Sequence, residues 1–159
     1  MQLPARVSYP VIAVGDLHGR VAWLDKLVAN LRRRPEWPLA KLVFLGDLVD
    51  RHPRVSDLVA RVLELIAEKP GSTCVMGNHD YWHGETETRA GFAYSGVREL
   101  TNRGVWLERG NHRVRLAGVD DLWMGKVDVG AALGGATERD ACPLLSHNPV
   151  TIAFHEWRR

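Results

Sequence analysis

Cysteine is scarce in this chain: there are two in 159 residues, Cys74 and Cys142, both inside apolar runs. Two cysteines make no disulfide framework, so buried free thiols in a reducing, cytoplasmic compartment are expected. No run approaches the roughly 18 apolar residues of a membrane span. Met1 to Pro10 lacks the basic start and long apolar stretch of a secretory signal. Excess charge is missing too. A formal net charge of +2 demands neither nucleic acid nor an acidic membrane as partner. Lysine supplies four of the 21 basic residues and arginine the rest. Arginine favours bidentate phosphate and carboxylate contacts, although an overall compositional bias accounts for the ratio equally well. Internal repeats, low-complexity tracts and a domain linker are all lacking, so residues 1–159 are expected to form a single domain with a real core.

What the chain does have is a series of short apolar runs. Val11–Val14 is β-branched and bounded by Pro10 and Gly15, which predicts a fully buried strand. Trp23, Leu24, Leu27, Val28 and Leu31 recur at helical spacing and put Trp23 in the core, with Pro35 and Pro38 closing the helix. Leu42–Leu45 predicts the second strand. Ser56 is a candidate N-cap for a helix whose apolar face carries Val59, Val62, Leu63 and Ile66, and Pro70-Gly71 stops it. Thr73–Met76 predicts the third strand. This β-α-β-α-β start implies an α/β fold with a parallel sheet and right-handed crossovers. Beyond it, Tyr81 to Ala93 is polar and aperiodic and reads as a loop over the site, and Tyr94 to Thr101 as a short helix. Val105–Leu107 and Val114–Val119 read as strands about the turn Arg109-Gly110-Asn111. Asp128–Leu133 is a helix candidate, and Leu144-Leu145 a last strand.

Each of the first three strands ends in a polar motif: Asp16-Leu17-His18-Gly19, Gly46-Asp47-Leu48-Val49-Asp50-Arg51 and Gly77-Asn78-His79-Asp80. Asp16 to Asp47 and Asp47 to Asn78 are both 31 residues, about the length of one strand–helix–strand unit, roughly 30 or more residues. Such units bring Asp16, Asp47 and Asn78 to the carboxyl ends of neighbouring strands, where open α/β sheets bind ligands. On extended backbone Asp16 and His18 point the same way and can grip one ion. The two oxygens of Asp47 can bridge two ions. Asn78 offers a carbonyl oxygen suited to a hard or borderline divalent ion, and His147, after the last strand, a nitrogen. Two such ions can clamp the attacking and leaving oxygens of a phosphoryl displacement. His79 would point the opposite way from Asn78 on extended backbone and could act as general acid, its ring oriented by Asp50. Arg20 and Arg51 could hold phosphate oxygens bidentately, helped by the amides at the start of the helix near Arg20.

Plainer readings stand beside these. Asp16, Asp47 and Asn78 could each be a loop or capping residue, though equal intervals after three strands argue against coincidence. His147 could be a satisfied structural histidine. His52, His83, His112 and His155 read as surface residues, and Tyr81 and Trp82 either stack on a substrate or pack the loop.

Asp-x-His-Gly, Gly-Asp-x-x-Asp-Arg, Gly-Asn-His-Asp and the later Ser146-His147-Asn148-Pro149, in this order, resemble the calcineurin-like metallophosphoesterase superfamily. The resemblance covers Val11 to Pro149. It implies a two-sheet sandwich flanked by helices and a centre of two divalent ions (Mn, Fe or Zn). Asp16 and His18 would bind the first, Asp47 bridge, and Asn78 and His147 bind the second. His79 would be the acid, supported by Asp50. Asp-Leu-His-Gly and Val-Asp-Arg look like the protein-phosphatase and dinucleoside-polyphosphatase branch. Asn-His-Asp-Tyr-Trp, the stretch 116–121 and Leu-Leu-Ser-His-Asn-Pro look more like bacterial phosphodiesterases acting on membrane-associated substrates, and that match is longer. The family continues to a Gly-His-x-His motif, whereas this chain ends ten residues after Pro149. A C-terminally incomplete fold is therefore expected, with weak metal sites and an open sheet edge that favours self-association. The function expected is a metal-dependent phosphoesterase on a small phosphorylated substrate. The competing expectation is a non-catalytic remnant. A nucleotide-binding module is disfavoured, since no Gly-rich phosphate loop follows a strand.

Overall fold

The computed structural model describes residues 10–49 and 55–151. Asp50, Arg51, His52 and His155 lie outside the described residues. The first sheet holds β1 (Val11–Val14), β2 (Lys41–Phe44), β3 (Thr73–Cys74) and β4 (Arg98–Glu99), in that order and all parallel. The second holds the antiparallel pair β5 (Arg103–Arg109) and β6 (His112–Gly118), with β7 (Leu144–Leu145) parallel to β6.

Period-two alternation sorts the side chains into layers. Phe44 and Cys74 face helices α1 (Val21–Leu31), α2 (Val55–Glu68) and α3 (Asn78–Ser95), packing with Leu24, Leu58, Leu65 and Phe92. Their neighbours Val43 and Val75 face the other way and meet Leu116 and Leu145 of the second sheet. Ala117 and Leu144 in turn face α4 (Val129–Leu133), against Ala132. The result is the expected sandwich of two sheets with helices on both outer sides. Because β1, β2 and β3 are parallel and in register, the loops after Val14, Phe44 and Cys74 emerge at one edge. Strand β6 runs parallel to β7, so the ends of both lead in the same direction, into Val119-Asp120-Asp121 and Ser146-His147.

Several expectations are corrected. Strand β1 is not fully buried: among the described residues it is the sheet's edge, with Val11 49% exposed. Trp23 is not core. It is 61% exposed, the guanidinium of Arg20 lies 4.6 Å from its ring, and Leu24 and Val28 hold α1 to the sheet. Helix α2 begins at Val55, so Ser56 lies inside its first turn rather than ahead of it, and the buried face centres on Leu58, Val62, Leu65 and Ile66. Cys74 is buried, but Cys142 only partly.

The largest correction is Tyr81 to Ala93, which belongs to helix α3 and not to a loop. Hydrophobic periodicity could not reveal it, because three of its four buried residues, Asn78, Asp80 and Thr88, are polar and only Phe92 is apolar. Gly84, at φ 138°, breaks the helical backbone partway along. Tyr94 to Thr101 is no helix: its first residues finish α3, and Arg98–Glu99 pair with β3.

Candidate metal centre

The backbone at the sheet edge is bent to present its side chains. Residues Leu17 and His18 donate their N–H groups to the Asp47 carbonyl, at 3.1 and 3.0 Å, which hangs the β1 loop on the β2 loop. His18 (φ 44°) and Asp47 (φ 50°) both sit in the left-handed region, where non-glycine residues are uncommon and backbone strain gathers at functional sites. Gly46, at φ 96°, comes so close to the next loop that an added Cβ would lie 2.6 Å from the Gly77 nitrogen.

Asp80 holds this arrangement in place. Its carboxylate accepts N–H groups from Asp47 (2.9 Å), Gly77 (3.0 Å), Leu48 (3.0 Å) and Val49 (3.2 Å). The side chain is wholly buried, and burial pushes its carboxyl up to about 6 against the downward pull of those donors. Burial also raises the Asp47 carboxyl, against the His79 N–H that donates to its Oδ1 at 2.9 Å and the nearby imidazoles. Two buried carboxyl groups lie close together here, and a cation between the loops would favour their ionised forms.

Around Asp47, 2% exposed, the other candidates converge. His18 Nε2 lies 3.7 Å from Asp47 Oδ2 and 3.8 Å from Asp16 Oδ2. His147 Nε2 lies 3.4 Å from Asp47 Oδ2 and 3.1 Å from Asn78 Oδ1, and its Nδ1 lies 3.7 Å from Asp16 Oδ1. The His79 ring contacts that of His18 at 4.6 Å between centroids. Two groups of potential ligands result, His18–Asp47–His79 and Asp16–Asp47–His147, each with its donor atoms within 4.8 Å of one another. Asp47 belongs to both.

The donor chemistry fits divalent cations. His147 Nδ1 lies 2.9 Å from the Leu45 carbonyl, which can only accept, so Nδ1 carries the ring proton. Nε2 then turns its lone pair toward Asn78 Oδ1 and Asp47 Oδ2. Three electron-pair donors facing one another require a positive centre among them, a proton or a metal ion, and mixed imidazole, carboxylate and amide ligation suits Mn, Fe or Zn.

The structure thus brings together Asp16, His18, Asp47, Asn78, His79 and His147. His79 arrives by a different route from the one expected, since the backbone is helical from Asn78 and the opposition of neighbours on a strand does not apply. His18, likewise, reaches Asp16 through left-handed rather than extended backbone. The guanidinium of Arg20 is laid over Trp23 at the start of α1. Asp50 and Arg51 lie outside the described residues. Two participants were not anticipated. The Leu45 carbonyl has no sequence signature. Asp80 had one, an acidic residue three places after Gly77, the N-cap of α3, a spacing that marks capping.

Carboxylates and imidazoles gathered at the carboxyl ends of a parallel sheet, where ligands of such sheets bind, make a candidate metal centre. The chain matches the calcineurin-like phosphoesterase family over residues 9–157, and it belongs to that family. It is 32% identical over 151 residues to a zebrafish (Danio rerio) transmembrane protein with metallophosphoesterase domain, covering 87% of this chain and 35% of that one. An uncharacterized metallophosphoesterase of Aquifex aeolicus is 31% identical over 123 residues, 76% of this chain and 45% of its own length. The catalytic subunit of Drosophila melanogaster serine/threonine-protein phosphatase 6 is 36% identical over 75 residues, 46% of this chain and 24% of its own. The chain thus spans between about a quarter and a little under half of these relatives. No solved structure matches it significantly. Among the described residues, no helix is long and apolar enough to cross a membrane.

Proposed function

We propose that the chain is a single metallophosphoesterase domain that hydrolyses a phosphodiester or phosphomonoester at a two-metal centre. The observation that carries this reading is the membership of Asp47 in both ligand groups. When bound, two divalent ions polarise the phosphoryl oxygens and lower the pKa of water. The side chains do the rest. Asp47 would contribute an oxygen to each position, and Asp16, His18, Asn78 and His147 would be the further ligands. His79, at the first turn of α3 and against His18, delivers a proton to the leaving oxygen, and Asp50 orients its ring. Arg20 and Arg51 hold the phosphate. The length of the match to Asn78-His79-Asp80-Tyr81-Trp82 and Leu144 to Pro149 favours a phosphodiester. Two unpaired thiols, Cys74 and Cys142, support a cytoplasmic setting.

The test is elemental metal content after equilibration with Mn or Zn, followed by hydrolysis of an aryl phosphodiester and an aryl phosphomonoester. Two ions per chain with turnover of the diester is the expected result. Preference for the monoester moves the reading to the protein-phosphatase branch. Absence of metal and of turnover leaves the non-catalytic remnant.

A further inference from the structure

Trp82 stands at the end of a line of rings that begins at Asp47. His18 contacts His79 edge-on (centroids 4.6 Å, planes at 74°), and His79 contacts Trp82 edge-on (4.5 Å, 60°). Edge-on contact occupies only part of the indole, and Trp82 is 55% exposed. An isolated surface tryptophan is ordinary. This one sits on the short helical stretch before Gly84, where its neighbours serve the centre: Asn78 meets His147, the His79 amide meets Asp47, and Asp80 holds the loop. The stretch is also fixed from outside, because the Tyr81 hydroxyl donates to Asp120 Oδ1 at 2.6 Å and Thr88 Oγ1 donates to the Asp80 carbonyl at 3.1 Å. An indole carried on a hydrogen-bonded stretch of helix and presented to solvent beside the proposed acid lies where a substrate's ester group could meet it.

We propose that Trp82 is the stacking platform for a planar aromatic group esterified to the phosphate, so that the substrate class is an aryl or nucleobase-bearing phosphoester and not a simple alkyl one. This rests on the phosphoesterase reading above. A phosphate held at Asp47 places its ester oxygen toward His79, and a ring carried on that oxygen lies against the next ring outward, Trp82. Planarity matters because the indole quadrupole rewards offset stacking beyond apolar burial. Removing an aromatic platform beneath a stacked base costs roughly 5- to 100-fold in affinity.

Binding decides this without any need for turnover. Phenylphosphonate, cyclohexylphosphonate and methylphosphonate are titrated calorimetrically into the Mn-loaded chain, with Trp82→Ala and Trp82→Phe in parallel and folding checked by circular dichroism. The expected result is that phenylphosphonate binds roughly 5- to 100-fold tighter than methylphosphonate, with cyclohexylphosphonate well below phenylphosphonate. Trp82→Ala should erase the phenyl preference and Trp82→Phe keep part of it. A preference that survives Trp82→Ala, an equal gain from the cyclohexyl ring, or no preference at all overturns the assignment while leaving the phosphate site intact. If methylphosphonate itself fails to bind, the phosphoesterase reading falls with it.

Discussion

The two ends of α3 are held to the protein by opposite means. Before Gly84 the buried side chains are polar, Asn78 and Asp80, and hydrogen bonds tie them to the loop after β2 and to His147. After Gly84 the helix packs beside α2 around a cavity of about 220 Å³ lined by Leu48, Leu58, Val62, Gly91, Phe92 and Val97, among others. One end is dense and directional, so each atom has a fixed partner. The other buries Phe92 beside an open cavity, and its polar contacts, Thr88 to the Asp80 carbonyl and Arg89 to Glu85 and Glu99, lie away from the ligand groups. Function requires the first kind of order, because ligands must be held to within about half an ångström. Stability alone is content with the second.

Asp47→Asn should have the largest effect at the polar end. It keeps the size of the side chain and removes the negative charge shared by both ligand groups. Loss of a ligand should exceed the roughly 10- to 100-fold typical of outer residues, so Mn bound per chain should fall at both positions. Unchanged stoichiometry after equilibrium dialysis would remove Asp47 from its bridging role.

Next comes His79→Ala. As general acid His79 contributes about 100- to 10,000-fold to rate, so turnover should drop by that factor while metal content changes far less. Its place in the group with His18 and Asp47 supplies the alternative. Loss of metal with unchanged activity per bound ion would make it a ligand instead.

Asp80→Asn tests what secures the polar end. Each carboxylate oxygen accepts two backbone N–H groups, and an amide NH₂ in place of one oxygen leaves two of those four donors without an acceptor. A buried unsatisfied group costs about 1–3 kcal/mol. Urea denaturation should register that loss, and Mn affinity should weaken with it as the Asp47 loop relaxes. A stability loss with unaltered metal affinity would mean that the loop keeps its shape without Asp80.

How far the sequence reached follows the same division. Short apolar runs and the 31-residue interval sufficed for β1, β2 and β3, though not for β4, and for the meeting of Asp16, Asp47 and Asn78, which chain length between strand ends dictates. Residue patterns also placed α1, α2, α4 and the β5–β6 hairpin. They failed on α3, whose polar face is buried through hydrogen bonds that periodicity does not register, and on the wider role of Asp80, three of whose four backbone partners lie 31 to 33 residues away in sequence. Trp23 was misplaced for a related reason. A tryptophan at helical spacing counts as apolar, yet the residue here is 61% exposed, with the Arg20 guanidinium 4.6 Å from its ring centroid. The ends of β1 were read correctly, but not its position at the edge of the sheet among the described residues, which depends on strand order rather than on composition.

The smallest expected effect falls at the loose end. Gly91 lies within α3 without a positive φ, and a Cβ built on it meets nothing within 4 Å. Gly77, at the other end of the same helix, has no such room, since its Cβ would run into the Asp47 carboxylate. Gly91→Ala therefore adds one carbon to open space, removes backbone freedom from the unfolded chain and raises helix propensity. Glycine in a helix interior costs roughly 0.5–1 kcal/mol relative to alanine, so the substitution should stabilise by about that much and raise the melting temperature by a few degrees. Metal content should not change, because no residue of the centre lies on this stretch. If the melting temperature falls, the space beside Gly91 is filled in solution and the far end of α3 is packed as tightly as the near one. If it rises and metal content also shifts, the two halves communicate across Gly84, and the separation between a functional end and a structural end of the helix fails.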